Sequence, residues 1–411
     1  MRKQWIVTLL MTTAALTASA STDERDTLDQ SIARHPIAVD GGSISQLGHR
    51  IEVDVVPSTI LHTNRYLKGE NLEGREMNHA FSGRLKYAFQ LPAESHSGRI
   101  YKGAYQGIGV AWHDFNPQLG NPFSAFIFQG ARIKSWAPRL SLNYEWNLGL
   151  TFGWHPYDAE TNPENRVIGS RVTAYIDADI YLRWQLSRSW DLNAGVSVIH
   201  FSNGNTTIPN AGLNVLGGRV SLAYYIHRQE QPSTGRVRIP SFRRRMNYDL
   251  LLFGAYRRQG FDFGNGPVAM PGKYEVFGFN FTPLYSVNYW FSTGLSVDGV
   301  YDRSANLLFE DYIVGMGDKG DDSRNHVGIP PAWKQMALGL SARAEFTMPF
   351  FSINVGVGRN LICAPGDLRA WYQLLALKVN MSRKLFLHIG YSLQDFRYPN
   401  HLMLGLGWHF K

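Results

Sequence analysis

From about residue 49 to the C-terminus, apolar and polar residues alternate in runs of about ten, each bounded by Gly, Pro, Asn, Asp or Ser. A period of two is the mark of a strand whose faces meet different surroundings. The first eight candidate strands lie near 49–56, 83–91, 103–114, 122–133, 138–153, 170–187, 190–202 and 215–227. A second eight lie near 246–257, 272–287, 289–301, 335–348, 350–358, 369–381, 384–395 and 401–410. In the sixth, Val172, Ala174, Ile176, Ala178, Ile180, Leu182 and Trp184 alternate with Thr173, Asp177, Asp179, Arg183 and Gln185. An apolar face backed by charge fits lipid outside and a polar lumen inside. The last strand repeats this, with Leu402, Leu404, Leu406, Trp408 and Phe410 against His401, Gly405, Gly407 and His409. The pattern predicts an all-β chain: a transmembrane antiparallel up-and-down β-barrel of about 16 strands in two eight-strand-like halves, closed as one large barrel or as two small ones.

The connections sharpen this picture. Those at 57–82, 115–121, 154–169, 203–214, 258–271, 302–334, 359–368 and 396–400 are mostly long and read as external loops. The opposite turns, such as Leu186 to Ser189, Met348-Pro349 and Ser382 to Lys384, are tight, as periplasmic turns are. Residues 228–245, with Arg236, Arg238, Arg243, Arg244 and Arg245, read as a basic solvated linker. Ahead of the strands, Arg2 and Lys3, the apolar run Trp5 to Leu16 and the small residues Ala18-Ser19-Ala20 form a secretory signal over 1–20, followed by a polar leader over 21–47. The expected domains are thus a first barrel half over 48–227, the linker, and a second half over 246–411.

Composition agrees, with 13% aromatic and only 18% charged residues. The net charge of +8 is spread along the chain, which argues against nucleic acid as a partner. One cysteine, Cys363, excludes an internal disulfide framework. No Gly-x-Ser-x-Gly elbow or His-Glu-x-x-His motif is present. The Gly315 to Asp322 stretch has carboxylates but not the spacing of a calcium loop, and reads as surface loop. Asp177 and Asp179 share the lumen face and read as a hydrated polar interior.

One strand carries candidate chemistry. His200 and Ser202 share the face of Ala194, Val196 and Val198, while Asn193, Gly195 and Ser197 take the other. A histidine beside a serine offers a base next to a nucleophile. Polar side chains on a lipid face are costly, which favours a functional reading, although a polar girdle at the interface is the plain alternative. The run Leu186 to Phe201 also aligns at constant offset with Met381 to Phe396, so the halves look like a duplication. In the second copy Asp395 and Arg397 replace His200 and Ser202, so that copy is expected to be silent.

His200-Phe201-Ser202-Asn203, followed by Pro209-Asn210-Ala211-Gly212 before the next strand, resembles the lipid A 3-O-deacylase (PagL) family. The resemblance is specific over about 190–227 and extends over roughly 49–227. It implies an outer-membrane eight-stranded barrel that hydrolyses an ester-linked acyl chain of lipid A in lipopolysaccharide. Its lipid-facing triad would place the nucleophile at Ser202 and the general base at His200. Asn203 and Asn210 would hold an oxyanion or the loop. The family's acid falls at Asn214, where this chain departs from the pattern. Asn can orient a histidine but gives imidazolium no opposite charge. Arg166 and Arg171 are candidates for the lipid A phosphates, and the implied mechanism needs no metal or other cofactor. Two other readings compete: a transport or structural barrel with the second half widening a pore, and a soluble sandwich with its apolar faces covered by protein.

Overall fold

The computed structural model describes residues 47–92, 95–101, 103–228, 241–262, 267–269, 272–309, 327–348, 351–396 and 398–410. The secretory signal, the leader up to residue 46, Gly315 to Asp322, Arg236, Arg238 and Arg397 lie outside the described residues.

The first half supplies eight strands: β1 (Gly48–Ile60), β2 (His79–Gln90), β3 (Tyr105–Asp114), β4 (Phe123–Ala137), β5 (Leu140–Phe152), β6 (Val172–Gln185), β7 (Trp190–Ser202) and β8 (Leu213–Ile226). Each pairs antiparallel with the next, and β8 returns to β1, with Val55 opposite Val220. The second half begins with β9 (Arg245–Arg257), then a small hairpin of β10 (Gly260–Asp262) and β11 (Pro267–Ala269), then β12 (Tyr274–Ser286) and β13 (Phe291–Asp302). Another small hairpin joins β14 (Leu308–Phe309) to β15 (Val327–Gly328). The half ends with β16 (Met336–Thr347), β17 (Phe351–Cys363), β18 (Trp371–Asn380), β19 (Leu385–Gln394) and β20 (Tyr398–Phe410). β20 closes on β9, with Leu406 opposite Leu252. The chain is therefore two closed eight-strand barrels. This decides against one large barrel, against a pore widened by the second half, and against an open sandwich. At eight strands the interior is just wide enough for side chains to fill it.

Facing follows the alternation. On β7, Val196 and Val198 are 53% and 52% exposed, while Asn193 and Ser197 are fully buried. Replacing Val196 by Arg puts a charge where lipid meets the wall. We expect it to cost about 2–4 kcal/mol, the range for a basic residue near the bilayer midplane. Unfolding in lipid vesicles measures this, and an unchanged midpoint would contradict a lipid-facing β7.

The lumen of the first barrel is filled by buried ion pairs, so Asp177 and Asp179 are held by cationic side chains where the expectation was a hydrated interior. Arg84 meets Asp177 at 3.0 Å and Asp179 at 3.2 Å. Lys86 lies 2.7 Å from both Asp54 and Glu145. Arg219 reaches Glu52, Asp54, Glu145 and Asp179 at 2.8–3.2 Å. Arg50 also pairs with Glu52. Nearer the β7–β8 loop the filling is apolar, with Phe115, Phe126, Trp154, Tyr175, Phe201 and Leu213 in one buried cluster.

The second barrel is filled on similar lines. Lys378 meets Asp249 and Glu345, and Arg343 meets Asp298 at 2.8 Å. The connection between β2 and β3, residues 91–104, includes a short helix, His96–Tyr101. β7 and β19, the strands of the sequence duplication, are each the seventh strand of their barrel.

Candidate active site

The site starts with what lies behind it. On β7 the odd side chains Ile199 and Phe201 point into the lumen and are buried. The Phe201 ring stands edge-on to Trp154 at 5.2 Å, His113 at 5.2 Å and Phe115 at 5.8 Å. A ring locked among aromatic neighbours fixes the end of the strand. Alternation then sends His200 and Ser202 to the outer wall.

His200 is paired in register with Asn214 at the start of β8. Its Nδ1 lies 2.7 Å from Asn214 Oδ1. A carbonyl oxygen only accepts, so Nδ1 is the donor of this bond, which in a neutral imidazole leaves Nε2 as the acceptor. Ser202 makes no hydrogen bond to His200 among the described residues. The two are linked by Gly212, which sits in the left-handed region at φ 74°. A Cβ there would fall 3.1 Å from Cε1 of His200 and 3.7 Å from Cβ of Ser202. A side chain there would crowd the imidazole edge, and the positive φ itself favours glycine. The sequence reading quoted Gly212 within the motif but gave it no role. Its signal was glycine at the last loop position before β8.

The asparagines brace the loop. The Asn203 backbone N–H donates to Asn210 Oδ1 at 3.0 Å, and its Nδ2 donates to the Thr207 carbonyl at 2.8 Å. Asn210 Nδ2 donates to Asn205 Oδ1 at 3.2 Å. Both Asn203 and Asn210 are buried, so these bonds satisfy groups that would otherwise be costly. The neighbouring connection, 153–171, clasps the same loop. Ala211 donates to the Arg166 carbonyl at 3.1 Å and Gly212 to the Val167 carbonyl at 3.2 Å. Gly169 is pressed on the Pro209 carbonyl so closely that a Cβ would fall 2.2 Å from its oxygen. Arg166 thus lies at the β7–β8 loop, its guanidinium 5.8 Å from the Tyr157 ring. Arg171 is exposed just before β6.

Among the described residues, the second barrel has no such arrangement at the aligned position. Asp395 lies beyond the end of β19 in a left-handed turn, φ 50°, and accepts the Trp371 backbone N–H at 3.0 Å.

No curated protein matches the sequence. Among solved structures, the chain is similar to the siderophore receptor PirA from Acinetobacter baumannii at 9% identity and a TM-score of 0.23, with 85% of this chain and 56% of that one covered. It is also similar to the outer membrane protein Omp33 from the same organism at 7% identity and a TM-score of 0.17, with 89% of this chain and 99% of that one covered. The β domain of the Bordetella autotransporter BrkA aligns at 9% identity and a TM-score of 0.22, over 89% and 99% of the two chains. The chain spans little more than half the length of the siderophore receptor, and likenesses this weak carry no argument.

The family matches do. Residues 81–223 match the family described as Lipid A 3-O-deacylase (PagL), and residues 246–411 match the one described as Acyloxyacyl hydrolase, C-terminal domain. Together with the two closed barrels, they make this chain an outer-membrane β-barrel protein that carries a lipid A 3-O-deacylase (PagL) domain over 81–223 and an acyloxyacyl hydrolase C-terminal domain over 246–411.

Proposed function

We propose that the first barrel hydrolyses an ester-linked acyl chain of lipid A, with Ser202 as nucleophile and His200 as general base. The observation that carries the reading is the 2.7 Å bond between His200 Nδ1 and Asn214 Oδ1 on the outer wall, two residues before an outward-facing serine. His200 Nε2 takes the Ser202 proton, and Ser202 Oγ attacks the ester carbonyl. The tetrahedral intermediate collapses, the imidazolium returns its proton to the leaving sugar oxygen, and an acyl-enzyme remains. Water, deprotonated by His200, then releases the fatty acid and restores Ser202. The family match supports the ester at the 3-position as the bond cut. The substrate reaches the site from the lipid side, so the filled lumen is no obstacle.

Asn214 orients the imidazole in place of the usual carboxylate. Asn203 and Asn210 hold the loop, since their described donors are engaged within it. Arg166, and Arg171 at the edge of the same connection, would meet the lipid A phosphates.

Mass spectrometry of lipid A from cells expressing the chain tests the reading. Loss of one acyl chain is expected with the native protein and not with His200→Ala at equal membrane levels. Unmodified lipid A with the folded native protein would reject it. Asn214→Asp gives a second prediction. A carboxylate facing the imidazolium turns a neutral hydrogen bond into a charged one, a gain of about 1 kcal/mol. The variant should raise kcat by roughly five- to tenfold. A lower kcat in mixed micelles would show that the wild-type site relies on the amide.

A further inference from the structure

The turn that follows Ser202 is gripped from outside its own barrel. Gly204 and Asn205 both occupy the left-handed region, at φ 64° and 61°. Gly204 is buried, and a Cβ there would fall 2.8 Å from Cδ2 of Leu402 and 3.2 Å from Cε2 of Tyr391. Both neighbours belong to the second barrel, where Tyr391 on β19 and Leu402 on β20 are register partners. They occupy the outward face, since their neighbours along the strands, Ser392, His401 and Met403, are buried. One residue on, the Asn205 carbonyl accepts the backbone N–H of Arg258 at 3.0 Å, and Arg258 directly follows β9. Elsewhere on the two walls, Leu148 of β5 packs against a cluster that includes Phe351, Ile353 and Leu377 of the second barrel. Neither barrel needs any of these contacts to close.

The grip connects to the site by hydrogen bonds already described. Asn205 Oδ1 accepts from Asn210, and Asn210 Oδ1 accepts the Asn203 N–H, next to Ser202. Gly and Asn are the residues that enter the left-handed region most readily, so this turn suits its sequence, and the contacts from the second barrel fix where it sits.

We propose that the second barrel is a buttress for the catalytic turn. Tyr391, Leu402 and the Arg258 amide hold Gly204-Asn205 in place, and through Asn210 and Asn203 they fix Ser202 against His200. These are positioning residues, since they touch no reacting atom. The proposal gives a barrel without its own His-Ser pair a part in the reaction, and it rests on the Ser202–His200 reading above.

The test uses the full chain with Leu402→Ala, Tyr391→Ala and Arg258→Pro, the last removing the N–H donor. Leu402→Met is the conservative variant, and Leu404→Ala, also on the outward face, is the control. Three quantities are read: kcat and KM on lipid A in mixed micelles, the rate at which a fluorophosphonate labels Ser202, and heat-modifiable gel mobility as a check on folding. Leu402→Ala and Arg258→Pro should each lower kcat about ten- to hundredfold, the scale of a misplacement near 1 Å, with KM unchanged. Labelling should slow in parallel, and Leu402→Met and Leu404→Ala should behave as wild type. Should Arg258→Pro fail to fold, Leu402→Ala and Tyr391→Ala carry the test, because both side chains lie outside the barrel interior. Wild-type kcat and labelling in folded Leu402→Ala and Tyr391→Ala would overturn the buttress. Full activity in Ser202→Ala would instead overturn the catalytic assignment, so the two failures are distinct.

Discussion

Ser202→Ala should abolish acyl release from lipid A, lowering kcat by at least about a thousandfold while the barrel stays folded. The size follows from the role, because without the hydroxyl no acyl-enzyme forms, and what remains is rate enhancement from binding and local polarity. Folding should be spared. Ser202 is the last residue of β7 and its side chain points outward, away from the buried aromatic cluster around Phe201. Heat-modifiable mobility and circular dichroism at wild-type values, with lipid A intact by mass spectrometry, would be the expected pair of results. Residual activity within tenfold of wild type would mean that another nucleophile does the work.

Arg219→Met should lower the stability of the first barrel by about 3–5 kcal/mol, the range for removing one partner of a buried charge cluster. Arg219 is completely buried and reaches four carboxylates, those of Glu52, Asp54, Glu145 and Asp179. Without it, Arg50, Arg84 and Lys86 are left to balance five buried carboxylates, those of Glu52, Asp54, Glu145, Asp177 and Asp179. Lys86 already bridges Glu52, Asp54 and Glu145, and Arg84 is committed to Asp177 and Asp179. Methionine fills much of the same volume, so the loss reports the charge and not a cavity. Arg183→Met is the contrast. That side chain is partly exposed and lies 3.7 Å from Asp191, which also pairs with Arg228 at 2.7 Å. Its removal should cost roughly 0–1 kcal/mol. Denaturant unfolding of both variants in detergent micelles compares them directly. Equal midpoints would mean that water enters the lumen freely and screens the cluster.

The sixteen barrel strands were legible because alternation is a local property. Each residue's face depends only on its parity within a strand. Strand β7 was read at Trp190–Ser202, its observed extent, and the outward parity of His200, Ser202 and Asn214 came from the same rule. The short helix His96–Tyr101 between β2 and β3 was not legible, because a helix of so few residues leaves little periodic trace. The small hairpins β10–β11 and β14–β15 lie inside long loops whose alternation spans only two or three residues per strand.

What the sequence by itself determined was the class: strands with one greasy and one polar face, arranged in two halves, with a His-x-Ser pair on the greasy side of one of them. Closure was beyond it. Sixteen alternating strands satisfy their backbone hydrogen bonds equally in one ring or in two, and only the pairing of β8 with β1 and of β20 with β9 chose two. Contact across long sequence separations was also the work of the tertiary structure. It drew Arg84 to Asp179, Arg219 to Glu52, and Leu402 to Gly204. These partners meet because tilted strands bring distant segments to one height in the wall. No local pattern records that height, so the lumen's ion pairs and the second barrel's contacts with the turn after Ser202 became visible only in three dimensions.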